Sequence, residues 1–339
     1  MHPRIPLFLG LALGIASLAG QDPGPADRLP PHIHRLTWFG ERADWSHDGR
    51  RILFVEKSYG DVFEADVATG EIRPLTHHFY HGGFTRALYL ANGDVLLSGC
   101  MDFDAKNPHR NRTEKAELWV LDKSTKRPPV PLGTKCHEGP AVSRKTMRIA
   151  WTVVDSQYPD SLKRGQVLMA VADMLVEAGV PRLANRRVVL DNTRLPFRCT
   201  PETQNFRPPD EKEIIFSAYG YRTTEVMGVD LSTGAVTNYS KADGQYDEPE
   251  GIFPDGRFTL VECDRQNLKG PGHVDIWKLT LDESGRTERL TFFSDVPGYK
   301  ASNPVVSDDG RFMAFQMAKS DEPAGVGHGI FIYNFQKRE

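Results

Sequence analysis

The sequence is 339 residues long, 39% hydrophobic and 26% charged, with a formal net charge of −3. That is ample apolar material for a packed core, and it lacks the basic excess that nucleic-acid binding needs. The length alone allows two domains, but a repeat running along the chain argues for one closed array.

Residues 1–20 read as a secretory signal peptide. Arg4 supplies the charge, Ile5 to Leu18 an apolar run, and Ser17-Leu18-Ala19 a small-x-small cleavage pattern. The run is too short for a membrane span and polar sequence follows it. Residues 21–31 form a Pro-rich linker. The protein is therefore expected to be periplasmic or secreted, without a membrane span. Export permits disulfides. Cys100, Cys136, Cys199 and Cys263 allow three pairings. Cys100 with Cys136, on the same end of adjacent blades, is the pair to test, and four buried free thiols are the alternative.

His32 to Phe39 (HIHRLTWF) has the character of an outer strand, like EIRPLT at 71–76 and TERLTFF at 287–293, yet no strands of its own unit precede it. Hairpins then recur. They read ADWSHDGRRILFVE from Ala43, ALYLANGDVLLS from Ala87, EGIFPDGRFTLVE from Glu250 and NPVVSDDGRFMAFQ from Asn303. Degenerate copies start at Pro140 and Asn205. Asp-Gly is a tight-turn dipeptide, and the flanking residues favour strands. The turn positions Gly49, Gly93, Thr146, Glu211, Gly256 and Gly310 are 44, 53, 65, 45 and 54 residues apart. A repeat of short strands at this spacing is the signature of β-propeller blades. The last repeat lacks an outer strand and the N-terminus has a spare one. Residues 32–339 are thus predicted to be a single all-β domain, a six-bladed β-propeller closed by the N-terminal strand, which removes an open sheet edge.

The third blade departs from the pattern. Residues 166–191 are predicted as two long strands joined at Gly179-Val180-Pro181, with a helix over 166–178 as the competing reading.

The Asp-Gly turns and the short Gly-bearing turns such as Ser232-Thr233-Gly234 fall at one end of the propeller and serve tight reversal. Long loops carrying His, Glu, Arg and Tyr fall at the other, and function usually sits on loops held by a rigid scaffold. The residues entering the innermost strands, Glu41/Arg42, Thr85/Arg86, His137/Glu138, Thr203/Gln204, Glu248/Glu250 and Ser302/Asn303, should ring the channel mouth. His81, Arg86, His137, Glu138, Gln204, Glu248, Glu250, Arg265 and Asn303 are the candidate ligand-binding residues. Tyr80, Tyr246 and Tyr299 offer flat faces for sugars. For any one of these residues, mutual hydrogen bonding in the channel is the plain structural alternative. His137, Glu138 and Glu250 are the catalytic candidates, by acid–base or paired-carboxylate chemistry. A nucleophile elbow, a P-loop and a dinucleotide fingerprint are all absent.

The xPxxSxDGxxxxF hairpins, best at 303–315, 43–54 and 250–260, resemble the TolB-like, WD-like propeller repeats of exported bacterial proteins. The resemblance covers nearly all of the mature chain and implies the propeller fold. The family's Tol-system member carries an α/β domain ahead of the propeller. Here the first repeat begins near residue 43, so the Tol role is not carried over. A second similarity is to oligogalacturonate lyases, propellers that use a metal held by His and Gln to cleave acidic sugars by β-elimination. It implies a possible divalent metal ion, for which His81, His137 and Gln204 are the candidates, although the family's closely spaced His pair with a Gln in the later blades is absent. The expected function is binding of a carbohydrate or a protein or peptide partner on the loop-rich face of a monomer. The alternative is a metal-assisted lyase on acidic oligosaccharides.

Overall fold

In a computed structural model, residues 23–138 and 140–337 are described. The signal-peptide reading lies outside them. They form six four-stranded antiparallel sheets. Blade one spans residues 41–74, blade two 84–135, blade three 141–191, blade four 200–238 and blade five 247–289. Blade six takes its three inner strands from residues 299–334 and its outer strand, Ile33–Arg35, from the N-terminus, with Ile33 opposite Tyr333 and Arg35 opposite Phe331. The closing segment is fastened further along. Thr37 Oγ1 accepts a hydrogen bond from the Ile330 amide at 2.9 Å, and the Arg35 guanidinium donates to the His328 carbonyl at 2.6 Å.

The hairpin turns form as their residues dictate. Gly49, Gly256 and Gly310 adopt φ of 69°, 68° and 71°, a left-handed conformation open to glycine at no steric cost. Ser46 and Ser307 close the turns by accepting from the Arg51 and Phe312 amides at 2.9 and 3.0 Å. In degenerate blade four, Glu211 occupies the left-handed position instead (φ 53°), and Ser143 of blade three donates to its carboxylate at 2.5 Å.

Blade three has two long outer strands, Val167–Glu177 and Val180–Asp191, turning at Ala178 and Gly179 (φ 50° and 77°). This is the strand reading of that segment, and its inner strand is only Ala141–Val142. Between blades the core is aromatic and aliphatic. Phe293, Phe315 and Phe331 stack or meet edge-on between blades five and six, and Trp151 is fully buried in blade three. All four cysteines are buried free thiols, so Cys100 and Cys136 are not bridged. Cys100 lies 3.6 Å from the Gly82 carbonyl and Cys136 3.7 Å from that of Glu138. Among the described residues no helix is long and apolar enough to cross a membrane.

Candidate functional site

Each innermost strand brings alternate side chains to the central channel, and in five of the six the register slips where the chain enters the mouth. The slips fall between Glu41 and Asp44, Phe84 and Arg86, Thr203 and Asn205, Pro249 and Gly251, and Ser302 and Val305. A β-bulge re-aims the side chains around it. Arg42 and Asn303 sit in two of these bulges with φ of 53° and 47°, a conformation uncommon for residues other than glycine. The bulges crowd polar side chains from several blades into one cavity at the loop-rich end, of about 190 Å³.

Four carboxyl groups are the heart of this cavity: Glu202, Glu248, Glu250 and Glu262, each less than 10% exposed. Two phenols hold Glu248, with Tyr219 donating to one of its oxygens and Tyr246 to the other. The Asn303 side-chain amide donates to Glu250 at 2.9 Å and to Glu262 at 3.1 Å, and its backbone amide donates to Glu262 at 2.7 Å. The Arg86 guanidinium lies 3.5 Å from Glu250. Cations line the same cavity. Arg42 donates to the Thr85 carbonyl at 2.7 Å and approaches Glu138 at 3.9 Å, and Arg112 pairs with Glu138. Lys300 stands across the mouth, donating to the Pro271 carbonyl at 3.0 Å.

Burial and crowding of the acids set their ionisation. Burial, then the charges of Glu248 and Glu250, push Glu202 up to about 8, and the same causes push Glu262 up to about 8. Burial also raises Glu250, against the pull of Arg86. Tyr219 and Tyr246 are raised well above the usual phenol range by burial and the neighbouring carboxylates, so both act as O–H donors. Near neutrality Glu202 and Glu262 can therefore act as carboxyl donors in the cavity, while both phenols donate to Glu248.

The candidate residues divide clearly. Arg86, Glu138, Glu248, Glu250 and Asn303 meet in the mouth. Gln204 faces the channel below it, donating to Glu202 at 3.3 Å and Ser217 at 3.1 Å. His81 is held between Asp61 (3.0 Å) and the Gly83 amide (3.0 Å), outside the cavity wall. His137 also lies outside that wall, and burial, with the charges of Arg112 and His109, lowers it to about 4. Arg265 turns away, pairing with buried Asp247 at 2.6 Å. Of Tyr80, Tyr246 and Tyr299, only Tyr246 lines the mouth. Tyr80 is 76% exposed and donates to Asp102, and Tyr299 packs between blades five and six.

His81, His137 and Gln204 do not fit a shared metal. His81 spends both ring nitrogens on protein partners, and Gln204 is bonded into the channel. Among the described residues, the one group of acidic, His or Cys side chains close enough to hold an ion is Glu248, Glu250 and Glu262, with oxygens within 4.8 Å of one another. Oxygen donors suit a hard divalent cation, but each of the three is already engaged by a donor and Arg86 supplies positive charge at Glu250. Glu202, Glu262, Tyr219 and Arg112 were not singled out from sequence. The signal that could have found them is the acid at the bulge and the polar ends of the second strands.

No family model and no curated protein sequence matches the chain. Solved structures do. The chain is similar to TolB from Acinetobacter baumannii, at 16% identity over 88% of this chain and 66% of that one, with a TM-score of 0.50. It thus spans just under two thirds of that TolB's length. It is similar to an oligogalacturonate lyase from Vibrio parahaemolyticus, at 12% identity over 89% of this chain and 93% of that one, TM-score 0.50. It is also similar to a gluconolactonase from Xanthomonas campestris, at 12% identity over 89% of each chain, TM-score 0.57. At these identities the likeness is one of fold: the chain is a six-bladed β-propeller whose architecture it has in common with TolB and with oligogalacturonate lyases.

Proposed function

We propose that this protein is an exported propeller that binds a polar ligand, a carbohydrate or a peptide segment, in the carboxyl-lined mouth of its channel. One observation carries the reading: four glutamates from blades four and five are buried side by side, a crowding that pushes Glu202 and Glu262 up to about 8. A core gains no stability from such a group, and perturbed acids gathered in a cleft mark functional sites. The donors and acceptors there suit a hydroxyl- or amide-rich ligand, and an amine or guanidinium would be welcomed by the carboxylates. A polyanion would meet repulsion from the glutamates and find cations at Arg42, Arg86, Arg112, Lys300 and Lys319. The signal-peptide-like N-terminus supports export.

The second reading, a lyase on acidic oligosaccharides, rests on those rim cations and on the shared fold. Fold alone does not assign chemistry, and the dispersal of His81, His137 and Gln204 weighs against that route. Calorimetric titration with neutral, amino and uronic-acid oligosaccharides and with a short basic peptide separates the two. Binding of a neutral or cationic compound that is lost in Glu250→Gln supports the mouth as a binding site. Turnover of uronic-acid oligosaccharides to an ultraviolet-absorbing unsaturated product supports the lyase. If none of the compounds binds, the carbohydrate-or-peptide reading falls.

A further inference from the structure

The hydrogen bonds of the mouth do not use up its acids. Both oxygens of Glu248 are held by phenols, and both of Glu250 are engaged, one by Asn303 and one by Arg86. Glu202 and Glu262 differ. Gln204 donates to Oε1 of Glu202, and Asn303 donates twice to Oε1 of Glu262. Among the described residues, Oε2 of each has no partner, although the two residues are only 8% and 5% exposed. Neither oxygen is sealed off by protein, so each keeps surface at the cavity that its residue lines. Nor does a cation of the chain offset them. Among the described residues the ion pairs of the mouth's inner acids run to Glu138 and Glu250, and Glu202, Glu248 and Glu262 have none. Seven carboxyl groups against five cations line the cavity, so its wall is short of positive charge. The acids of this cluster stand on the strands Thr200–Phe206, Asp247–Ile252 and Phe258–Cys263. The connections 264–274 and 320–329 bring Pro271, Pro323, Ala324 and Val326 to the lining, beside Glu322.

We propose, resting on the reading of the mouth as the ligand site, that its ligand is a lysine side chain presented by a polypeptide partner, with Glu262 as the counter-ion of the ammonium. Glu248, Glu250 and Glu262 have oxygens within 4.8 Å of one another, so one ammonium can touch all three. A lysine has the form that the lining asks for: an aliphatic stem that lies along apolar groups, and a compact head with three donors. Arginine is the poorer match. Its planar fork seeks both oxygens of one carboxylate, and Glu202 and Glu262 each offer a single free one. Burial, Glu248 and Glu250 push Glu262 up to about 8 against the pull of Lys300. Any proton it holds passes to solvent as the ammonium arrives.

The probes are the capped peptide acetyl-Gly-Lys-Gly-amide and its norleucine counterpart, which keeps the stem and lacks the ammonium. Each is titrated by calorimetry into the full chain at about pH 8.5, where lysine stays charged. The lysine peptide should bind saturably, and the norleucine peptide about ten-fold more weakly or worse. Glu262→Gln should cut the affinity of the lysine peptide about ten-fold or more and leave that of the norleucine peptide unchanged. Equal binding of the two peptides overturns the lysine assignment, as does an arginine peptide or a glucosamine disaccharide that binds more tightly than the lysine peptide. A folded Glu262→Gln that binds the lysine peptide normally overturns it too. In each of these cases the mouth keeps its role if Glu250→Gln abolishes the binding that is seen. If neutral oligosaccharides bind and neither peptide does, the lysine assignment falls alone, and if nothing binds, both fall. Should Glu262→Gln not fold, the ratio of lysine to norleucine affinity in the unaltered chain decides.

Discussion

Arg144, in the hairpin turn of blade three, reaches Asp308 in the turn of blade six, with Nε 2.7 Å from Oδ1. The same guanidinium donates to the Trp45 carbonyl at 2.8 Å and lies 3.4 Å from Asp44 in blade one. One side chain thus ties three blades across the turn end of the channel. Asp44 also accepts from the Tyr89 amide of blade two at 2.7 Å, so a fourth blade joins the clasp. Arg144→Ala leaves the Asp44 carboxylate buried with its counter-charge gone. Loss of one partner from a buried pair is strongly destabilising, and a drop of roughly 2–4 kcal/mol is expected by denaturant unfolding. Adding Asp44→Asn to Arg144→Ala should recover part of it, because the uncompensated charge is then removed. Strict additivity of the two substitutions would mean that they act separately.

The mouth acids give stability a definite pH dependence. Glu202 and Glu262 are raised to about 8 in the folded chain, against an unfolded value of about 4.5. Between those values the folded state holds more protons than the unfolded one, so stability falls as pH rises through this window. His47 acts in the same direction, because its hydrogen bond to Asp308 raises it; His137, lowered to about 4, opposes them below pH 6.5 but is one group against the two acids. The melting temperature should therefore be higher at pH 5 than at pH 8, the difference in stability being on the order of a few kcal/mol. In Glu202→Gln/Glu262→Gln the slope should largely flatten. A wild-type profile that is flat or rises between pH 5 and 8 would contradict this picture of the mouth.

The six blades were legible because their turns are chemical. Asp-Gly at Gly49, Gly256 and Gly310 announces a left-handed residue between two apolar arms, and the spacing follows. The orphan strand was legible from arithmetic, three strands at one end of the chain and one at the other. The mouth was legible only in part. Entry into the innermost strands was readable as a place, and Glu248, Glu250, Arg86 and Asn303 are there. What sequence could not show is the bulge in five of the six innermost strands, which in blade four decides whether Glu202 or Gln204 reaches the mouth. Nor could it show that Glu262 and Tyr219, on neighbouring strands, complete the acid cluster. Of the two cysteine readings, the free thiols hold: Cys100 and Cys136 share an end of the propeller, yet each is buried against its own neighbours, Cys100 beside the Gly82 carbonyl and Cys136 beside that of Glu138.

Closure by the N-terminal strand can be tested by removal. Ile33 is buried in the core between blades five and six, and the chain from 33 to 37 supplies the outer ladder of blade six. Deleting His32 to Phe39 exposes the edge of the strand Ile330–Asn334 and uncovers Tyr333 and Phe331. A large loss of cooperativity and stability is expected in chemical unfolding, with a rise in oligomers by light scattering, since unpaired edges seek partners. A truncated chain that melts like the full one would show that the closing strand is dispensable.

Two histidines and one glutamate separate the roles of scaffold and site. His81 bridges Asp61 and the Gly83 backbone, so His81→Ala should cost about 1–2 kcal/mol of stability, the order of two hydrogen bonds, with little change in ligand affinity. His137 lies outside the mouth wall, and burial keeps it neutral at physiological pH. His137→Ala should therefore also leave affinity nearly intact. Glu250 lies between Arg86 and Asn303. Glu250→Gln keeps the shape and the bond from Asn303; it leaves buried Arg86 without its counter-charge, a cost offset by relieving Glu202 and Glu262 of a like-charged neighbour. It should weaken the mouth ligand by about ten-fold or more while the melting temperature changes little. The comparison is read by calorimetry and thermal melting on the same preparations. The reverse pattern, binding lost in His81→Ala at unchanged melting and kept in Glu250→Gln, would move the site away from the carboxyl-lined mouth.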